Sequence, residues 1–277
     1  QFFKIGRGII FNNIADGLYL NYENQYFGID VIINYTGLLS EILSSFRYLE
    51  PSINSPEQRL FVGGAFKLPM GIKNTLFANF IAQIDLANVM NPSKLYESYY
   101  AGLFVIGELF ANFNYEFEVD FEFGKSPSTK NNHSIIASLA VDGLISYHIA
   151  PDTYDFTIIS EIAIATGDAE RSRDDVIDSP QATDPEEFDN LFKSFGYFDT
   201  GFGLKIPYAN LQIYSFGLSI KPFAFSEFMK KFTLDIRALY YWKFHFENRE
   251  LGFAVDFSLK WRIRSEEHTS ELQSRQV

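Results

Sequence analysis

The chain has no cysteine and only four histidines. It also has no apolar run of the ~18–20 residues that a membrane-crossing helix takes. Without cysteine there can be no disulfide scaffold, no iron–sulfur cluster and no thiolate zinc site, although the compartment stays open. Basic residues are in deficit: 23 Lys and Arg stand against 35 Asp and Glu, a formal charge of −12. That balance excludes nucleic acid as the main partner, because phosphate contacts need a cationic excess. Helical periodicity is nearly missing, with Leu38 to Tyr48 as the one modest candidate. No secretory leader is visible either. Gln1-Phe2-Phe3 begins inside what reads as a strand, so processing or truncation is expected to have removed the start.

What the chain does have is phenylalanine, 30 of 277 residues, with aromatics at 17% overall. Mean hydropathy is −0.06, which taken alone suggests a soluble protein that hides these rings in a core. Alternation suggests otherwise. From Asn114 to Phe123, Tyr115, Phe117, Val119, Phe121 and Phe123 alternate with Asn114, Glu116, Glu118, Asp120 and Glu122. A period of two makes one face apolar and the other acidic. Phe232 to Phe246 and Leu251 to Ile263 repeat the pattern, with Asp235, Arg237, Lys243, Asp256, Lys260 and Arg262 on their polar faces. Weaker runs cover Phe2–Phe11, Gly17–Glu23, Tyr26–Tyr35, Arg59–Met70, Thr75–Leu86, Tyr99–Ala111, Ser134–His148, Asp155–Thr166 and Asn210–Lys221. This predicts about twelve strands in one domain, residues 1–263.

Connections alternate between long and tight. Segments 36–58, 87–98, 124–133 and 167–209 are long or medium, and the links at 71–74, 112–113 and 150–153 are tight. In an up-and-down sheet this puts long loops at one end and short turns at the other. Strands of about ten to sixteen residues suit a bilayer, where ~9–11 are needed to span. A soluble barrel would have to pack its many rings into an interior that widens with strand number. Inverting the sheet removes that difficulty: rings face lipid and charges line water. The expected fold is therefore all-β, an antiparallel up-and-down transmembrane barrel, closed because unpaired strand edges are costly in hydrocarbon. Tyr99-Tyr100, Tyr240-Tyr241-Trp242 and Trp261 would form interfacial girdles.

Short motifs add a family resemblance. Gly6-Arg7, Ile9-Ile10-Phe11-Asn12 and Ala15-Asp16-Gly17-Leu18 resemble a segment of the alginate-export family of outer-membrane channels. So do Ile164-Ala165-Thr166-Gly167-Asp168, Phe188-Asp189-Asn190-Leu191-Phe192, Gly196-Tyr197, Asn210-Leu211 and Lys221-Pro222. The resemblance implies a monomeric barrel of about eighteen strands in the bacterial outer membrane, carrying a polysaccharide such as alginate or another hydrophilic solute. Roughly a third of such a barrel would be missing here. Residues 264–274 instead look like a translated sequencing-library adapter, so 264–277 are expected to be a disordered non-native tail.

On this reading the pore lining comprises Arg7, Lys67, Glu116, Glu118, Asp120, Glu122, Arg237, Lys243, Lys260 and Arg262, with Asp30, Asp85, Asp142 and Glu161 on the same faces. The basic side chains would attract anionic groups and the acidic row would repel them or pass cations. Glycines flank Arg7 and leave its face ambiguous, since a bulge could shift the alternation. Residues 168–189 carry nine acidic and two basic side chains, which reads as a solvated loop or, alternatively, a Ca²⁺ site without regular ligand spacing. Neither His133, His148, His245 nor His268 has metal-ligand spacing to another, and no nucleophile-elbow or phosphate-loop motif is present. No cofactor and no enzymatic activity are expected. Two alternatives remain: a structural or adhesive outer-membrane barrel, distinguished by a chain segment plugging its lumen, and a soluble carbohydrate-binding β-protein.

Overall fold

The structure, a computed structural model, describes residues 2–14, 16–36, 58–86, 95–127, 133–150, 155–168, 188–196, 198, 201, 208–223, 226, 232–245 and 250–261. The helical candidate at 38–48, most of the acidic loop, Arg262 and the tail lie outside them. The described residues are all-β, with no helix. They form β1 (Phe2–Lys4), β2 (Phe11–Ile14), β3 (Asp16–Glu23), β4 (Gly28–Thr36), β5 (Arg59–Met70), β6 (Asn74–Asp85), β7 (Glu97–Phe110) and β8 (Phe113–Pro127). There follow β9 (His133–Ile149), β10 (Phe156–Ala165), β11 (Phe188–Asp189), β12 (Phe195–Gly196), β13 (Leu211–Ile220), β14 (Phe232–Lys243) and β15 (Glu250–Trp261).

Eleven strands make one antiparallel up-and-down path, β3-β4-β5-β6-β7-β8-β9-β10-β13-β14-β15. Its ends, β3 and β15, are not paired with each other, so the sheet is open rather than closed as expected. The tight links form where backbone can turn left-handed: Gly71 has φ 77° and Asn112 φ 67°. Phe2–Phe11 is not one strand. Gly6 (φ 55°) and Gly8 (φ 95°) reverse the chain, the Gly8 N–H donates to the Ile5 carbonyl, and β1 folds back on β2.

This hairpin is not part of the main path. It pairs with β12, while β11 runs parallel to the start of β9. The hairpin, residues 188–196 and Phe198 lie over one face of the main sheet. There Ile5, Ile9, Ile10, Phe11, Phe192, Phe195 and Phe198 pack against Ile32, Phe61, Ile81, Tyr100, Ile136, Ala163, Ile213 and Tyr241. Phe61 meets both Phe11 (4.9 Å) and Phe195 (4.8 Å) edge-on. Each buried apolar side chain contributes about 1.5–3 kcal/mol, and edge-on ring pairs add about 0.5–1.5 kcal/mol. A real apolar core therefore exists, on the face expected to line water alone.

The other face is bare and apolar from edge to edge. Leu20, Val31, Phe66, Phe80, Leu103, Phe121, Ile145, Ile162, Phe216, Ile236 and Phe257, one from each strand of the path, are all exposed. Polarity is thus inverted relative to a water-soluble protein: Phe121 is 55% exposed while its neighbours Asp120 and Glu122 are 0% and 1%. Tyr99, Tyr240, Trp242 and Trp261 sit on or toward the bare face. Tyr100 and Tyr241, expected in the same girdles, are 0% and 1% exposed on the covered face, because adjacent residues of a strand point opposite ways.

Candidate pore-lining face

The acidic row of β8 faces the covered side, as alternation requires, but it is roofed by the β1–β2 hairpin and by residues 188–196. Arg7 caps the hairpin turn and makes the principal contact. Its guanidinium is ion-paired with Glu116 on β8, Asp142 on β9 and Glu161 on β10. Its backbone N–H donates to Glu118 Oε2 at 2.7 Å. Burial works against the Arg7 charge, but Asp142 and Glu161 outweigh it and hold its pKa above the ordinary value. Gly6 permits this fit, since a Cβ there would lie 2.1 Å from Glu118 Oε1 and its φ is left-handed. Arg7 is therefore at the tip of the β1–β2 hairpin, not on a strand of the main sheet.

Glu122 does for residues 188–196 what Glu118 does for the hairpin. It accepts from the Lys193 backbone N–H at 2.8 Å, from the Tyr100 hydroxyl at 2.8 Å and from Ser138 Oγ at 2.9 Å, and it also bonds the Tyr96 hydroxyl. Lys193 Nζ sits 3.9 Å from the centre of the Tyr96 ring, a cation–π contact. Asp168 and Asp189, read as members of a solvated acidic loop, are buried instead. Asp168 accepts the Asn190 N–H at 2.9 Å and Asp189 the Leu191 N–H at 3.2 Å, bracing the same segment.

Asp120 lies between these two hubs, with Gly102 opposite it on β7 leaving room for its carboxylate. Glu118 and Asp142 are direct cross-strand partners, a like-charge pair that costs stability unless compensated. Arg7 binds both residues and is that compensation.

The basic positions share the covered face and are paired too. Arg237 on β14 bonds Glu161, Lys67 on β5 bonds Glu23, and Lys260 on β15 lies 3.0 Å from Asp235. Lys243 is buried at the far end of β14. Asp30 accepts from the Tyr19 hydroxyl and from Asn21, and Asp85 lies 3.9 Å from Arg59. The basic side chains and the acidic row, expected to act separately on solutes, are therefore joined in local ion pairs. Toward the tight-turn ends the roof stops, and a cavity of about 610 Å³ remains between the Arg7 turn and strands β7–β10 and β13–β15. No metal-binding cluster occurs among the described residues. Tyr96, Ser138 and Lys193, missed as contributors, carry no signal of their own. The aromatic density of Phe188–Tyr197, at and just beyond the end of the acidic stretch 168–189, is the available clue. The chain matches no family model and no curated protein.

Proposed function

We propose that this chain is the wall and inner plug of a bacterial outer-membrane β-barrel channel that passes hydrophilic solutes, with a lumen narrowed by its own hairpin, by residues 188–196 and by Phe198. The observation that carries this is the inverted polarity: every strand of the path presents an exposed apolar side chain on one face, while Asp85, Glu118, Asp120, Glu122, Asp142 and Glu161 are buried on the other. In water such a face would far exceed the few hundred Å² that soluble proteins leave exposed. Facing lipid, it is stable. This argues against the soluble carbohydrate-binding reading. Insertion requires β3 and β15 to be paired, with further strands completing the barrel, since open edges in hydrocarbon cost several kcal/mol per unsatisfied group. The resemblance of the Gly6-Arg7 and Ile164–Asp168 motifs to alginate-export channels supports the same class. The local pairing of Arg237, Lys67 and Lys260 weighs against a continuous basic track for an anionic polymer.

The roofed interior favours a second reading, a structural barrel with no flux. Planar-bilayer recording on the full-length protein separates them. Discrete ion conductance is expected of the channel, and insertion without conductance would leave the structural barrel.

A further inference from the structure

The 610 Å³ cavity beneath the Arg7 turn falls within the ~300–1,000 Å³ typical of small-molecule sites. Its lining carries four basic and four acidic side chains. The pairs with resolved geometry are Arg7 with Glu116 and Glu161, Arg237 with Glu161, and Lys260 with Asp235. A guanidinium or ammonium in such a pair still has N–H groups to donate, and a carboxylate still has lone pairs to accept. An anionic ligand would have to compete with these carboxylates for the cations, and a cationic one would face the reverse. A ligand whose groups both donate and accept can bridge a pair without breaking it. Hydroxyls do this. Ser219 adds another hydroxyl at the rim, donating to Asp235 at 2.6 Å. Two rings, Phe104 and Phe198, form an apolar part of the same lining. Phe104 is stacked on Phe77 at 5.3 Å and Phe198 on Tyr208 at 4.3 Å, so both are held rigid. Rigid apolar surface beside bridging polar groups suits a molecule with C–H patches between its hydroxyls.

We infer that this cavity binds an uncharged polyhydroxylated solute of sugar size, with hydroxyls bridging the Arg237–Glu161 and Lys260–Asp235 pairs. The inference rests on the channel reading and gives it a substrate class.

The test is current block by maltose, with trimannuronate as the anionic counterpart, on the reconstituted full-length protein, together with calorimetric binding in detergent. Maltose is expected to reduce conductance in the millimolar range and to bind in detergent, trimannuronate to do neither at the same concentration. Arg237→Gln, which leaves the Arg7 pairs in place, is expected to weaken maltose binding about tenfold, the loss of one hydrogen bond to a charged group. A conducting channel that ignores maltose, or prefers trimannuronate, would overturn the inference and leave the channel reading standing. Absence of conductance with maltose still bound in detergent would overturn the channel and keep the site. If Arg237→Gln fails to fold, the comparison of the two sugars on the unaltered protein decides alone.

Discussion

Arg7 joins three carboxylates on three successive strands and donates its backbone N–H to a fourth. Removing one partner of a buried ion pair costs about 3–5 kcal/mol, because the other charge is left uncompensated. Arg7→Ala should therefore lower the unfolding free energy measured by urea titration by that order and raise channel conductance as the hairpin loosens. A midpoint and conductance both equal to the parent's would show that the hairpin is held by its apolar contacts alone. Gly6→Ala should mimic the loss, since a left-handed φ and a Cβ 2.1 Å from Glu118 Oε1 both oppose it. At the turn before β10, Asp155 is ion-paired with Lys221 and lies 3.4 Å from His148 Nδ1. Partial burial acts to raise its pKa, but Lys221 and His148 prevail and hold it below the ordinary carboxylate value. Its stabilising contribution is present above its unfolded pKa and is lost as the pH falls through the lowered folded value. Asp155→Asn should consequently be less stable than the parent at neutral pH and equal to it in strong acid. A pH-independent gap in urea midpoints would assign Asp155 a steric role instead.

Strands and inner segments differ in how plainly they announce themselves. The strand from Asn114 to Phe123 could be placed, and its two faces assigned, from alternation alone, because a period of two carries over directly into up and down on a sheet. The eleven strands of the path follow the same logic. The hairpin did not, since Ile9-Ile10-Phe11 is a run without alternation and the reversal depends on positive φ at Gly6 and Gly8. Alternation also tells which side chains share a face but not what covers that face. Hence Glu118 and Glu122 could be read as lining water, whereas they hold backbone N–H groups of distant segments. A substitution series along β8 tests the assignment of faces. Phe121→Lys on the bare face should cost about 2–4 kcal/mol of bilayer stability, the penalty for a midplane cation on a barrel. A loss below about 0.5 kcal/mol, as at ordinary water-exposed positions, would place that face in water.

Across the whole molecule, composition averages two opposite surfaces. Mean hydropathy near zero conceals a bare apolar face and a charged, roofed one. Likewise the −12 charge says little about selectivity, because the acidic residues of the covered face are largely answered by Arg7, Arg237, Lys260 and backbone N–H groups. The central claim is that the bare face meets lipid. These 277 residues hold no cysteine, so a single spin label can be placed among them by one substitution. With the full-length protein in vesicles, labels at Phe121→Cys and Phe216→Cys should collide with dissolved oxygen and be shielded from a water-soluble nickel complex. A label at Lys260→Cys, beside the cavity, should show the opposite preference. Equal nickel access at all three positions would contradict a membrane-facing sheet.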